Sequence, residues 1–132
     1  MIYYLDIITN KRCEFVDITS RVQDLIDKSG IKSGIAFIYS THTTAGITIN
    51  ENADPDVASD ILSSLSKKFP KIDDYDHIEG NSDAHIKTSL FGLSVSVPID
   101  DKRLILGTWQ GIYLAEFDGP RNRKAAVKII KG

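Results

Sequence analysis

Apolar and polar positions along the chain follow two different periods, and the switches between them mark the elements. Ile2 and Tyr4 alternate with Tyr3 and Leu5, then Ile7 and Ile8 follow, and Cys13 to Ile18 repeats the strand-like pattern. With Asn10-Lys11 as the turn between them, the two runs predict a hairpin. Val22, Leu25 and Ile26 then form an i, i+3, i+4 stripe. Thr19 or Ser20 is placed to cap that helix, Ser20 and Gln23 have capping-box spacing, and Gly30 stands where it should stop. Gly34 to Ser40 carries apolar residues on both faces, Ile35, Phe37 and Tyr39 on one and Ala36 and Ile38 on the other, which predicts a central strand covered on both sides.

A polar bend, Thr41 to Gly46, leads to a short strand over Ile47 to Asn50. Asp54-Pro55 sets an N-cap before a proline at the first helical position, and Val57, Ala58, Ile61, Leu62, Leu65 and Phe69 keep helical spacing until Pro70. Residues 71–82 show little periodicity and read as a long loop, the kind that carries function or disorder. Ser82 or Asp83 can cap a short helix over Ala84 to Leu90, closed by Gly92. The rest reads as a meander: Leu93 to Val97, a turn at Pro98 to Lys102, Arg103 to Trp109, Ile112 to Phe117, a turn at Asp118-Gly119-Pro120, and Lys124 to Ile130. The predicted fold is α+β, a single domain with a largely antiparallel sheet, two main helices and one short one. At 132 residues there is no room for a second domain of similar size.

Charge and composition narrow the function classes. Sixteen Lys plus Arg against 18 Asp plus Glu give a net charge of -2, so no global basic field steers the chain to nucleic acid, and no nucleic-acid partner is expected. The uncharged stretch Ser33 to Asn50 has a purely apolar core only over Ile35 to Ile38, too short to span a bilayer, and the first residues lack the pattern of a secretory signal. No membrane partner is expected. A single cysteine, Cys13, excludes a disulfide framework and a Cys-rich zinc finger and fits a cytoplasmic location, and it reads as a core residue.

All three histidines, His42, His77 and His85, lie in polar stretches at element boundaries. Three imidazoles with one open position would make a catalytic zinc site, whereas the alternative is that each is a solvated or locally hydrogen-bonded surface residue. Glu51 and Asp54 follow His42 by a strand's length, and Asp76, Glu79 and Asp83 flank the other two. These acids could orient a ligand histidine, bind a hard cation or act as a base, although Asp54 and Asp83 are better explained as helix caps. Gly80-Asn81-Ser82 runs into a helix N-terminus, which favours an anion; Arg121 and Arg123 could supply a planar fork and Lys87 a point charge. On a helix, His85 and Lys87 point roughly 200° apart. P-loop, dinucleotide and nucleophile-elbow motifs are absent. Trp109 reads as a packing residue, while Gln110 has no apolar role and could donate a hydrogen bond in a site.

The segments His42-Thr43-Thr44-Ala45-Gly46, Asn50 to Pro55, His77 to Lys87, Gly107-Thr108-Trp109-Gln110-Gly111 and Glu116 to Arg121 together resemble the YjbQ-like family, also called the secondary thiamine-phosphate synthase family. The resemblance runs through essentially the whole chain. It implies a small α+β protein that forms a homotrimer, with a polar pocket near a subunit interface that holds a metal. It also implies a secondary activity joining a pyrimidine diphosphate to a thiazole phosphate, giving thiamine phosphate and pyrophosphate. The site it implies contains His42, Glu51, His77, Asn81, His85, Lys87, Gln110, Glu116 and Arg121. The resulting expectation is a metal-dependent enzyme acting on a phosphorylated small molecule. His42, His77 and His85 would hold a divalent metal, zinc first and magnesium second. Glu51, Lys87, Gln110 and Arg121 would be catalytic, and Asn81 and Glu116 would bind the cofactor. Its rivals are a metal-dependent hydrolase with Glu51 as base and a non-catalytic small-ligand binding or sensor module.

Overall fold

The computed structural model describes residues 1–132. In chain order the elements are β1 (Ile2–Ile8), β2 (Glu14–Asp17), α1 (Thr19–Ser29), β3 (Gly34–Ser40), β4 (Ala45–Glu51), α2 (Pro55–Lys68), α3 (Ser82–Phe91), β5 (Ser94–Asp100), β6 (Arg103–Leu104), β7 (Gln110–Glu116) and β8 (Asn122–Lys131). They build two antiparallel sheets, one ordered β1-β8-β3-β5-β6 and the other β2-β7-β4. No helix is long and apolar enough to cross a membrane.

The main core unites both sheets with α1: Leu5 and Ile7, Val22 and Ile26, Ala36 and Ile38, Ile47, Val97 and Ile99, Ile112 and Leu114, and Val127 are all buried in it. A second cluster joins Ala84 of α3 to Ala115 and Phe117, with Phe15, Leu62, Leu65 and Phe91 packed against them. Successive side chains of β7 therefore point into different clusters, Ile112 and Leu114 into one and Ala115 into the other. The small sheet is thus a middle layer, with the large sheet on one side and α2 and α3 on the other. This explains why β7 is buried along nearly its whole length.

Local signals are realised where they depend only on neighbours. Asp54 accepts a hydrogen bond from the Asp56 amide at 2.9 Å, Pro55 opens α2, and Gly30 ends α1 in the left-handed region at φ 72°. Non-local predictions need correction. β1 and β2 do not form a hairpin: β1 pairs with β8, Ile2 opposite Lys128, whereas β2 pairs with β7. The loop between them crosses from one sheet to the other, held by Glu14, whose carboxylate accepts the Asn10 and Lys11 amides at 2.6 and 2.7 Å. Neither Thr19 nor Ser20 caps α1. Asp17 instead accepts from the Thr19 amide and hydroxyl at 2.9 and 2.6 Å.

Pro98 lies inside β5 rather than in a turn, and the reversal falls on Asp101 and Lys102, whose φ values of 47° and 65° suit a two-residue hairpin loop. β6 is then only two residues long, so the predicted strand from Arg103 to Trp109 is mostly loop. β3 is central, between β8 and β5, but its outward residues Ile35 and Tyr39 remain 45% and 38% exposed. The expected coverage of both faces is not met within one chain.

Candidate functional site

Antiparallel register gathers several site residues at one end of the molecule. Ile8 at the end of β1 opposes Asn122 at the start of β8, and Ala45 at the start of β4 opposes Glu116 at the end of β7. His42 precedes β4, Arg121 precedes β8, and Asn81 precedes α3. Glu51 and Gln110 face each other at the opposite end of the β4–β7 ladder, about 20 Å from the Glu116 pair at the rise of an extended strand. The nine residues implied by the resemblance therefore do not form one site within the chain.

Glu116 is fully buried and committed to structure. Its carboxylate accepts from the Thr9 hydroxyl at 2.7 Å, Arg123 Nε at 2.9 Å and the Asp118 amide at 3.1 Å, and it pairs with Arg123 Nη2. Burial pushes its acid upward, but hydrogen bonds from Arg123, Thr9 and the Asp118 amide outweigh this and hold it below the ordinary glutamate range. Arg123 also donates to Thr44 Oγ1 at 2.9 Å, so it is not part of a phosphate fork with Arg121. Gly119 makes this corner possible: a Cβ there would stand 2.3 Å from the Lys11 carbonyl oxygen and 2.8 Å from Thr9 Oγ1.

His42 Nε2 accepts the Lys124 amide at 2.9 Å, which requires a neutral ring with its proton on Nδ1. Burial lowers its pKa, Arg123 and Arg121 add to this, and Glu116 opposes it. The other two histidines meet elsewhere. His77 and His85 lie edge to face with ring centroids 5.5 Å apart, and His77 Nε2 is 3.7 Å from Glu79. They line a shallow depression of about 340 Å³ with Tyr75, Asp76, Ser82 and Ile86. The Tyr75 hydroxyl donates to the Pro70 carbonyl at 2.6 Å and ties down the loop that carries His77.

Asn81 is the N-cap residue of α3, yet its side chain makes no capping hydrogen bond. Its Nδ2 donates to Asp118 Oδ2 at 2.9 Å, and its Oδ1 is buried without a partner. Asp118 is held in turn by Arg121, whose Nη2 donates to Oδ2 at 3.1 Å and Nε to the backbone carbonyl at 2.7 Å. The Ser82 and Asp83 amides of the first turn find no acceptor in the chain.

Asp83, predicted as a possible cap, is instead buried beneath that turn. It accepts both guanidinium nitrogens of Arg12 at 3.0 and 2.9 Å and the Lys87 ammonium at 2.9 Å. Burial raises the Asp83 acid, and the bonds from Arg12 and Lys87 more than reverse it, leaving it lowered. Two cations thus share one carboxylate, and a net positive charge lies behind the first turn of α3. Lys87 points into this cluster while His85 faces the depression, the divergence expected for a helix. Sequence reasoning missed Arg12, Thr9 and Asp118, because each acts through a partner at least 37 positions away.

At the far end, Gln110 Oε1 accepts the Gly107 amide at 2.8 Å and closes a turn. Trp109 is 61% exposed, not a packing residue. The largest cavity, about 680 Å³, lies there between α1 and the β5–β6 hairpin, lined by Asp17, Gln23, Asp24, Asn52 and Arg103 and by none of the predicted site residues. Cys13 is half-buried just before β2, its thiol pushed up by burial despite Lys87 and Arg12 nearby.

The expected three-histidine metal centre is not formed. His42 is committed to the Lys124 amide, and no group of three or more His, Cys, Asp or Glu side chains is placed to hold a metal ion. The zinc and metal-binding assignments are corrected accordingly.

Comparison with known proteins agrees with the fold and revises the activity. A family model described as UPF0047 protein YjbQ-like matches residues 3–132. The UPF0047 protein MJ1081 of Methanocaldococcus jannaschii is 58% identical over 130 residues, covering 98% of this chain and 94% of that protein. YugU of Bacillus subtilis is 52% identical over 131 residues, covering 98% and 99%. A crystal structure of a YjbQ/UPF0047 protein from Clostridium acetobutylicum superposes with a TM-score of 0.95 at 56% identity, covering 97% and 99% of the two chains. The structure of SSO2532 from Sulfolobus solfataricus P2, described as a protein of unknown function, gives 0.92 at 36% identity, covering 100% and 99%. None of these relatives bears the name of a thiamine-phosphate synthase, a transferase or a metal-dependent hydrolase, and the expectation of such an enzyme is withdrawn. Their names confirm no non-catalytic binding role either.

Proposed function

The chain belongs to the YjbQ-like UPF0047 family, and from that premise we propose that it binds a small phosphorylated molecule whose phosphate sits on the open first turn of α3. The observation that carries this reading is Asn81, which gives its amide to Asp118 instead of capping its own helix. An Asn cap stabilises a helix by about 1 kcal/mol. Here that gain is forgone, the amide of half-buried Ser82 and that of buried Asp83 stay without an acceptor, and the paired cations on Asp83 leave positive charge behind them. Aligned peptide dipoles add to the same field. The Ser82 hydroxyl and the His85 ring border the turn, and Arg121 keeps Nη1 unengaged nearby. Asp76 and Glu79 on the loop would repel a second anionic group, so the uncharged or basic part of the ligand belongs against His77.

Self-association to a homotrimer and a cytoplasmic location are further parts of the proposal, supported by the bare apolar face of the large sheet and by the single free thiol.

Calorimetric titration of the full chain with inorganic phosphate and with a small phosphate monoester tests the ligand. Binding of the monoester by the wild type, weakened about tenfold by Arg121→Gln, is the expected result. Absence of any saturable heat from either compound overturns the reading.

A further inference from the structure

The polar side of α1 and the β5–β6 hairpin enclose the 680 Å³ cavity, a volume in the range that takes small organic ligands. Val22 and Ile26 turn α1 into the core, which leaves Ser20, Gln23, Asp24 and Asp27 on the opposite side of the helix as one wall. Arg103, Leu104 and Leu106 form the other. Gln23 fixes the gap between them. Its Nε2 donates to the Lys102 carbonyl at 2.9 Å, and its Oε1 accepts the Leu104 amide at 3.1 Å. The Lys102 amide donates in turn to the Lys32 carbonyl at 3.0 Å, so the hairpin is held from two sides. Asp17 and Asn52, joined at 3.1 Å, stand at the N-terminal end of α1. The trough is therefore shaped before any ligand arrives, which lowers the ordering cost of binding.

We propose that this trough binds a basic amino acid, lysine or a close homologue. Its carboxylate meets Arg103, its two ammonium groups meet Asp24 and Asp27, and its methylenes lie over Leu104 and Leu106. The charges carry the assignment. Asp17, Asp24, Asp27 and Arg103 line one cavity, yet none of them belongs to an ion pair. The Gln23 links hold the two walls apart, and a molecule bearing both signs satisfies groups that do not reach each other. Three carboxylates against one guanidinium leave an excess of negative charge, which selects a net cation and rejects a phosphate ester. Nor do the acids converge on a point: no group of three His, Cys, Asp or Glu side chains is placed to hold a metal ion. Asp24 and Asp27 are instead spread by about 4.5 Å along the helix axis, which suits cations carried along a chain. Asp17 already accepts from Thr19 and Asn52, and Asp27 from Gln23 at 2.9 Å, so Asp24 is the carboxylate with the most capacity left. A diamine without the carboxylate would meet an uncompensated guanidinium at Arg103, and a neutral-chain amino acid would leave one acid unanswered. The trough shares no lining residue with the His77–His85 depression, so this inference stands apart from the phosphate reading.

Calorimetry of the full chain with lysine, cadaverine and norleucine tests it, cadaverine lacking the carboxylate and norleucine the second ammonium group. The expected result is saturable binding of lysine, with each of the other two about tenfold weaker. Arg103→Gln should remove the preference for lysine over cadaverine, and Asp24→Asn should weaken lysine and cadaverine together. Asp60→Asn, which removes the same charge from exposed α2, should bind lysine as the wild type does. All these positions are exposed, and circular dichroism confirms that each variant is folded. No saturable heat from lysine at millimolar concentration overturns the proposal. Equal affinity for lysine and cadaverine overturns it as well, as does lysine binding unchanged in Arg103→Gln and Asp24→Asn. An equal loss in Asp60→Asn would reduce the effect to net charge and overturn the site.

Discussion

The Asn81 side chain donates to Asp118 across 2.9 Å, joining the start of α3 to the turn that follows β7. The bond diverts a residue type that ordinarily satisfies its own helix, and it ties the open turn of α3 to Arg121 through one carboxylate.

Removing that carboxylate should release Asn81. Asp118→Ala frees the Asn81 side chain to rotate so that its Oδ1 accepts an amide of the first turn and caps α3, so thermal unfolding should shift by less than the equivalent of ~1 kcal/mol while affinity for a phosphate monoester falls about tenfold. Calorimetry and a melting curve on the same sample check both halves. Unchanged affinity would detach Asp118 from the site.

The cluster around Asp83 predicts opposite outcomes for its members. Asp83→Ala leaves the buried Lys87 and the partly buried Arg12 without their counter-charge and should cost about 3 kcal/mol or more in urea unfolding. Lys87→Met keeps the bidentate Arg12–Asp83 pair and removes the excess charge. Its stability should stay within about 1.5 kcal/mol of wild type, while phosphate-monoester binding weakens. Equal destabilisation by both changes would show that the cluster is not overcharged as described.

Glu116→Gln separates structure from ligand binding. Arg123 would stay buried opposite a neutral amide, so a loss of about 3 kcal/mol in chemical denaturation is expected. A stable protein with weakened monoester binding would instead make Glu116 a ligand-binding group.

Acid should destabilise the protein through His42 before it does so through the carboxylates. Its folded pKa lies below the ordinary 6.5, so the unfolded chain takes up the proton first as pH falls. Stability is therefore complete above pH 6.5 and declines below it, until the folded ring protonates as well. Asp83 and Glu116, also lowered, contribute stability that is present above the ordinary carboxylate range and lost as pH falls through their folded values. Urea midpoints between pH 7.5 and 5.5 should fall for the wild type and fall less for His42→Gln. Parallel slopes would contradict the role given to the Lys124 amide.

The limits of sequence reading follow from distance along the chain. α2 was legible because Asp54, Pro55 and its apolar stripe are neighbours, and Gly30 marks the end of α1 for the same reason. The predicted β1–β2 hairpin does not form because the strand that pairs with β1 begins at Asn122, and no local pattern announces a partner so remote. Site residues were found by type, but their roles depend on partners that only folding supplies. His42 meets an amide 82 positions away, Arg12 a carboxylate 71 positions away, and Arg123 is committed to Glu116 across a turn. Glu51 and Gln110 looked contiguous with the histidines in motif order, but strand register sends them to the other end.

Amide chemical-shift mapping of ¹⁵N-labelled protein during a phosphate-monoester titration tests the central claim most directly. The account predicts that Ser82 and Asp83 move furthest, with His85 and Arg121 following. Those two amides unmoved at saturation, or the largest shifts at Gln110 and Asn52, would contradict it.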